Sequence, residues 1–285
     1  MDREGEFKAN FKEKRLEDKL YLFLQNVFRL YPEDRFHTLI KECSKIGVTD
    51  ESIYSQVQSK LSEIKPVFAD FTYALPSLFK QKREIVRQTL QLLGDVKTIR
   101  GYMEIGTDGR YVSRLKKVIR FESQIILVNE TEPGFSPVHI LEREQFRKLG
   151  IFLPLNDYAP FSEQNVANQS LELVTCFIGL HHIKLDNLHN FIRSIHRILK
   201  PGGWFILRDH DCTTPEMKAF VSLIHSVFNL GIGESWNRNC EEFRHFRPLA
   251  DWIEIITKLG FRVSDERLTQ NHDPTDNVLI KFTRT

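Results

Sequence analysis

The chain has 285 residues, 41% of them hydrophobic and 27% charged, with 40 Lys and Arg against 38 Asp and Glu. This composition excludes a disordered chain and a coiled coil over the whole length, and a net charge of +2 makes no general case for nucleic-acid binding. The length predicts one α/β domain with a sizeable extension.

Apolar residues in the first hundred positions recur at helical spacing. The stripes and the residues that stop them are 16–31 before Pro32, 36–43 before Gly47, 53–64 before Pro66 and 77–93 before Gly94. Thr49 or Asp50 would cap the third helix. We therefore predict an all-helical N-terminal extension or lid over residues 1–97.

From residue 98, short apolar runs alternate with helical stripes, which is typical of a doubly wound, mostly parallel sheet with crossover helices. The seven predicted strands are 101–105, 125–128, 152–155, 171–178, 204–208, 261–263 and 278–282. The predicted helices are 110–120, 188–199 with Asp186 as cap and residues 200–203 as stop, 217–228 and 249–259. The short connection between the last two strands predicts an antiparallel last strand. We assign residues 98–285 to this Rossmann-like domain.

The four cysteines are far apart, and no pair has metal-ligand spacing. We expect reduced thiols, a cytoplasmic compartment and no metal site. Adjacent His181 and His182 are expected on different sides of a helix or strand, in structural or helix-start roles. The charged N-terminus lacks the apolar core of a signal segment, and no apolar run approaches the ~20 residues that span a bilayer.

A glycine-containing loop, residues 104–109 (EIGTDG), follows the first predicted strand. Glycines let the backbone turn sharply near a ligand, and a helix starting near Arg110 would offer N–H groups to a carboxylate or phosphate. Glu130 follows the second strand, 21 residues after Gly109, where an acid suits ribose hydroxyls. Glu132 is the rival acid. The alternatives are a plain strand-to-helix turn and a solvated acid.

The chain here resembles the class I S-adenosylmethionine-dependent methyltransferases. The matching segments, in the family's order, are 102–109 (YMEIGTDG), 129–130 (NE), 156–161 (NDYAPF) and 170–211, which contains a strand–LKPGG–strand run. The resemblance covers about residues 98–285 and implies S-adenosylmethionine as cofactor.

The resemblance also implies a role for each matching residue of the glycine loop. The residues that would surround the methionine part are Glu104, Gly106, Thr107, Asp108 and Gly109. Asp108 departs from the family's usual glycine at the middle of the loop. Its carboxylate would either help hold the ammonium group or crowd the site.

Further residues are implied for the rest of the cofactor. Glu130 would hold the ribose, and Asp157 would accept from the adenine amino group beside the backbone N–H of Tyr158. The segment that begins with Cys176 and Phe177 would line the sulfonium side with backbone carbonyls, because a cation prefers carbonyl dipoles.

Methyl transfer needs alignment and exclusion of water, and a base only where the acceptor loses a proton. His210 is the first candidate base, oriented by a carboxylate such as Asp209. His245, in the aromatic and arginine-rich run 243–248, is the second. The alternatives also stay open. The residues around His210 would cap the next helix or line the pocket wall, and the run around His245 would form a lid or pack against the core.

Three functions remain open on the sequence. The favoured one is methylation of a small molecule in an enclosed pocket. Methylation of RNA or protein has support only from residues 80–120, which hold eleven Lys or Arg against four acids. The third is a non-catalytic S-adenosylmethionine-binding subunit, which is suggested by Asp108 in the place of the usual glycine. No proline precedes Pro or Cys, and no tyrosine precedes Lys by four residues, which argues against several amine and cytosine methyltransferases and short-chain dehydrogenases. Oligomeric state and acceptor stay undetermined.

Overall fold

The structure is a computed structural model that describes residues 5–147 and 149–285, apart from the side chains of Val138 and Glu142. The chain divides into two compact units. The helical unit holds the described residues up to Gln81 with 210–246 and 270–276, and the sheet unit holds 82–209, 247–269 and 277–285. The division into 1–97 and 98–285 stays a prediction.

The described residues contain eleven α-helices and seven strands. The helices are α1 (Glu6–Lys12), α2 (Lys14–Asn26), α3 (Glu33–Ile46), α4 (Asp50–Ile64), α5 (Leu75–Leu93), α6 (Val112–Leu115), α7 (Pro137–Arg143), α8 (Leu185–Ile198), α9 (Pro215–Gly231), α10 (Trp236–Glu241) and α11 (Leu249–Thr257). A π-helical turn covers Asp70–Ala74 and a 3-10 turn covers Asn156–Tyr158. The strands are β1 (Thr98–Ile105), β2 (Arg120–Asn129), β3 (Ile151–Pro154), β4 (Leu171–Cys176), β5 (Leu199–His210), β6 (Phe261–Thr269) and β7 (Asn277–Arg284).

The seven strands form one sheet in the order β3-β2-β1-β4-β5-β7-β6. The pairs β1–β2, β1–β4, β2–β3 and β4–β5 are parallel, and β6–β7 is antiparallel. The predicted fold class is therefore confirmed. The strand order reverses between β1 and β4, so the crevice at the carboxyl ends of these strands is where a ligand of such a sheet binds.

Successive side chains of a strand point to opposite faces of the sheet, and β1 shows this directly. Met103 and Ile105 belong to one hydrophobic core, together with the apolar stripe of α8 and with Trp252 of α11. Tyr102 belongs to the other core, with residues of α5 and α6, and Ile99 joins it because the register of β1 shifts between Arg100 and Tyr102. Burying an apolar side chain of this kind contributes about 1.5–3 kcal/mol to the free energy of folding. The two cores therefore hold β1 on both faces and fix the position of its end, where the polar residues lie.

In the helical unit, α1 to α4 share one hydrophobic core with α9. Thr49 caps α4 through a reciprocal pair of hydrogen bonds with Ser52, as its position predicted. The first predicted stripe is longer than its helix. Because α2 ends at Asn26, Phe28 and Tyr31 are buried beyond the helix end. Within the described residues, no helix is long and apolar enough to cross a membrane.

Three sequence predictions in the sheet unit are wrong. The helix predicted over 110–120 is only α6, after which turn hydrogen bonds carry the chain to β2 at Arg120. These turns bury Leu115 and Ile119, as a helix would, so the spacing of these residues does not separate the two structures. Asp186 lies in the first turn of α8, and Lys184 occupies the cap position. Helix α8 ends at Ile198, ahead of the predicted stop at residues 200–203, but the strand predicted to begin at residue 204 begins at Leu199.

Candidate functional site

The loop after β1 depends on glycine at two positions. Gly106 has φ +86° and Gly109 has φ +82°, a region that side chains other than glycine adopt only with strain. The N–H of Gly106 donates to Val128 O at 2.7 Å, which holds the loop against the end of β2. A Cβ at Gly106 would have three Ile178 atoms within 2.6 Å. The backbone here therefore runs close to the segment after β4.

Glu104, the next-to-last residue of β1, is a fully buried acid. Its carboxylate accepts from the hydroxyls of Thr107 and Tyr102, the latter at 2.9 Å, and from Tyr111 N at 3.4 Å. Burial raises the pKa of Glu104 above its ordinary value of 4.5, and these hydrogen bonds oppose the rise. A buried acid of this kind is stabilised by a cationic ligand group.

The helix expected to start near Arg110 is short. It begins at Val112 and has four residues, and two N–H groups ahead of it donate within the loop. Tyr111 N donates to Glu104, and Arg110 N donates to Thr107 Oγ1 at 3.4 Å. A helix of one turn carries little dipole, so the expected contribution of Arg110 N–H to a carboxylate loses its basis.

Asp108 is buried and neither of its oxygens points to open space. Oδ1 accepts from Asn129 Nδ2 at 2.7 Å and Oδ2 pairs with His139 Nδ1 at 2.6 Å. Glu130 follows Asn129 directly and is exposed at the end of β2, and Glu132 is exposed in the same loop. Both acids therefore remain compatible with a ribose role, and the structure places Glu130 nearer the strand end.

The predicted adenine residues lie in the 3-10 turn after β3. Asn156, Asp157 and Tyr158 have φ of 49°, 52° and 58°, three successive left-handed residues. The Asp157 carboxylate is exposed and pairs with Lys184 Nζ at 2.7 Å. Tyr158 N donates to Leu155 O at 3.0 Å, so the N–H expected for adenine is used inside the turn. Both adenine assignments stay predictions.

Cys176 is the last residue of β4 and Phe177 follows it, and both are buried. Desolvation raises the pKa of the Cys176 thiol to about 12, and its Sγ donates to Gly179 O at 3.7 Å. The Phe177 ring packs edge-on against Tyr111, with 4.7 Å between ring centroids. The thiol is therefore an un-ionised packing group, and the segment after β4 lies against the residues that follow the glycine loop.

Asp209 and His181 form a buried pair that the sequence analysis did not assign. Asp209 is 1% exposed and His181 is 3% exposed. Asp209 Oδ1 pairs with His181 Nδ1 at 2.7 Å, and its Oδ2 accepts from Leu180 N at 2.6 Å. A carboxylate on Nδ1 fixes the orientation of the imidazole ring, which is one requirement of a general base.

His181 and His182 were expected to point to different sides of a helix or strand, but their side chains lie together. Their rings are 4.1 Å apart, because residues 180–183 form a turn and α8 begins only at Leu185. Gly179, with φ +84°, precedes this turn. A Cβ there would lie 3.0 Å from Asp209 Oδ2, so the glycine allows the close approach of the pair.

The two histidines predicted as bases have other surroundings. His210 Nδ1 bonds the backbone carbonyl of Thr275 at 2.8 Å, and its ring packs edge-on against Phe246. His245 stacks on Phe243 with 6.3 Å between centroids. Both lie in the helical unit, whereas Asp209 lies in the sheet unit. Asp209 was expected to orient His210, and its two oxygens instead hold the segment 180–181. The catalytic roles of His210 and His245 stay predictions.

Residues 79–266 match a protein family described as a methyltransferase domain. A PKS-NRPS hybrid synthetase, cheA, of Chaetomium globosum is 25% identical over 154 residues, which cover 53% of this chain and 3% of that protein. The chain thus spans a small part of the length of this curated relative.

Solved structures with a similar chain path are also methyltransferases. The Burkholderia thailandensis 1,6-didemethyltoxoflavin-N1-methyltransferase with bound S-adenosylhomocysteine is 13% identical, with a TM-score of 0.47 over 82% of this chain and 87% of that one. The NodS N-methyltransferase of Bradyrhizobium japonicum is 16% identical, with a TM-score of 0.45 over 71% and 96%. At these scores the likeness assigns neither substrate nor mechanism to this chain.

Proposed function

This chain belongs to the methyltransferase domain family, and we propose that it methylates a small molecule whose proton is removed by His181. The observation that carries the proposal is the buried Asp209–His181 pair, where β4 and β5 end. Its chemistry is that of a class I S-adenosylmethionine-dependent methyltransferase. When bound, S-adenosylmethionine supplies an electrophilic methyl group on a sulfonium.

The described residues suit that cofactor at the ends of β1 and β2. Gly106 and Gly109 bring the backbone close to the crevice, and the buried Glu104 carboxylate suits the methionine ammonium. Glu130 would accept from the ribose hydroxyls. Asp157 and Tyr158 are proposed at the adenine, and the carbonyls after Cys176 at the sulfonium side.

His181 and Asp209 supply the proton transfer. As the acceptor atom gains a methyl group, its proton moves to His181 Nε2 while Nδ1–H remains bonded to Asp209. The carboxylate stabilises the imidazolium that forms. A base is needed for an acceptor that is a weak nucleophile while it keeps its proton, so we propose a hydroxyl or an acidic carbon as the methylated group.

A small-molecule acceptor is favoured over RNA because part of the basic charge of residues 80–120 is already paired. Several of these cations pair with carboxylates. The pairs are Lys82 and Arg114 with Glu144, Arg87 with Glu84, and Arg100 and Arg120 with Glu122. Lys82 is moreover buried within the sheet unit. Cations neutralised in this way add little to the field that attracts a phosphate backbone.

The experiment is a screen for S-adenosylhomocysteine release with hydroxylated and carbon-acid metabolites, peptides and RNA as separate acceptor pools. We expect turnover with a metabolite pool. His181→Ala should lower turnover by about 10²–10⁴-fold while S-adenosylhomocysteine still binds. His189→Ala, which removes an exposed histidine of α8, is the matched control. Turnover with RNA alone, or full activity of His181→Ala, would contradict the proposal.

A further inference from the structure

One carboxylate joins the two ends of the loop that contains Glu130. Asp108 accepts from Asn129, the last residue of β2, and pairs with His139, in the first turn of α7. These partners flank residues 130–138. Asp108 is only 6% exposed, so both bonds form with little competition from water and are stronger than bonds at an open surface.

Two further contacts connect this loop to its surroundings. Buried Arg143 donates through Nη1 to Gly134 O at 2.7 Å, near the middle of the loop. Asn129 O accepts from Leu155 N at 2.9 Å, which ties the end of β2 to the start of the turn after β3. Asp108 therefore lies at a junction of the segments that follow β1, β2 and β3.

We propose that Asp108 is a positioning residue that clamps the loop 130–138 and thereby holds Glu130 in place for the ribose. The inference rests on the proposed function, in which Glu130 binds ribose hydroxyls. A loop fixed at both ends before the ligand arrives loses less conformational entropy on binding. Asp108 acts through Asn129 and His139 and need not touch the cofactor.

Two ligands separate this role from direct binding of the methionine ammonium. S-adenosylhomocysteine has the ammonium group, and 5′-methylthioadenosine keeps the adenosine and the thioether without it. Asp108→Ala should weaken both ligands by the same factor, on the order of tenfold for a lost charge-assisted hydrogen bond. Asp108→Asn keeps an acceptor oxygen for Asn129 and offers an N–H donor to the His139 ring, so it should restore most of the affinity.

The binding experiment is a calorimetric titration of the whole chain, with Asp265→Asn as a control because Asp265 is exposed on β6. Weakening of S-adenosylhomocysteine alone, without rescue by Asp108→Asn, would overturn the clamp in favour of direct ammonium binding. Hydrogen exchange of the ligand-free protein is the second measurement. Asp108→Ala should speed amide exchange in residues 130–138 but not in β4.

The two measurements separate the clamp from the function on which it rests. Unchanged exchange in residues 130–138 would overturn the clamp even where both ligands bind. A wild-type protein that binds neither ligand, with exchange accelerated as expected, would overturn the proposed function and the ribose role of Glu130 together.

Discussion

Gly106→Ala tests the packing of the glycine loop against the segment after β4. The new Cβ would have Ile178 Cγ2 at 2.6 Å and two further Ile178 atoms at least as close, in a backbone with φ +86°. The backbone strain costs about 1–2 kcal/mol and the forced overlap about 1–3 kcal/mol more. Alanine also restricts the unfolded chain, which offsets about 0.4–1 kcal/mol.

Gly202→Ala is the matched control. Gly202 has φ +75°, and no described atom lies within 4 Å of its added Cβ. Strain and unfolded-state terms are therefore similar in both variants, and their difference isolates the overlap with Ile178. At roughly 2–4 °C per kcal/mol for a domain of this size, Gly106→Ala should melt several degrees below Gly202→Ala.

The assay is thermal unfolding followed by circular dichroism, extended by a double-mutant cycle. Ile178→Ala removes the three atoms that the new Cβ meets, so Gly106→Ala should cost less in that background by about the overlap term. Equal melting temperatures for Gly106→Ala and Gly202→Ala, or a cycle with no coupling, would refute the reasoning.

Three further predictions follow from the site. Glu104→Gln should raise the melting temperature of the ligand-free protein. The pKa of Glu104 is raised in the folded state, so between pH 4.5 and that pKa the folded protein keeps a proton that the unfolded chain releases. The stability of the wild-type protein therefore falls as pH rises through this window. The gain over wild type should vanish below pH 4.5, and exposed Glu163→Gln should show none; a gain independent of pH would contradict the desolvation argument. Once an acceptor is identified, His181→Ala should lower kcat by about 10²–10⁴-fold, and Asp209→Asn should lower it less, with S-adenosylhomocysteine affinity retained; equal losses of affinity and kcat would point to a structural role. Iodoacetamide at pH 8 should label exposed Cys240 first and reach Cys176 only on unfolding, because burial raises the Cys176 pKa to about 12; fast labelling of Cys176 by mass spectrometry would contradict its burial.

Much of the sheet was predictable because its central strands, such as β1 and β4, are buried at nearly every position. The apolar runs that became β2 and β4 have no helical periodicity, and the stripe of α8 has no alternative to a helix. Strand ends were less predictable, since β5 continues through residues 200–203 where Pro and Gly indicated a stop. Apolar spacing also did not separate a helix over 110–120 from successive turns.

The Asp209–His181 pair was missed because its members are distant in the chain and were grouped with sequence neighbours. Asp209 was paired with His210, yet successive residues of a strand point to opposite faces of the sheet, so these two neighbours in β5 do not share a face. The available signal was positional. Cys176 of β4 pairs with Leu207 of β5. His181 and Asp209 both come after this pair in the chain, so they lie near the same ends of two adjacent parallel strands.

A crystal structure of the chain with S-adenosylhomocysteine tests the account most directly. We predict the methionine ammonium at Glu104, the ribose hydroxyls at Glu130 and the sulfur on the side of the crevice where His181 is held by Asp209. A ligand whose ribose is bound without Glu130, or whose sulfur lies on the side away from His181, would contradict it.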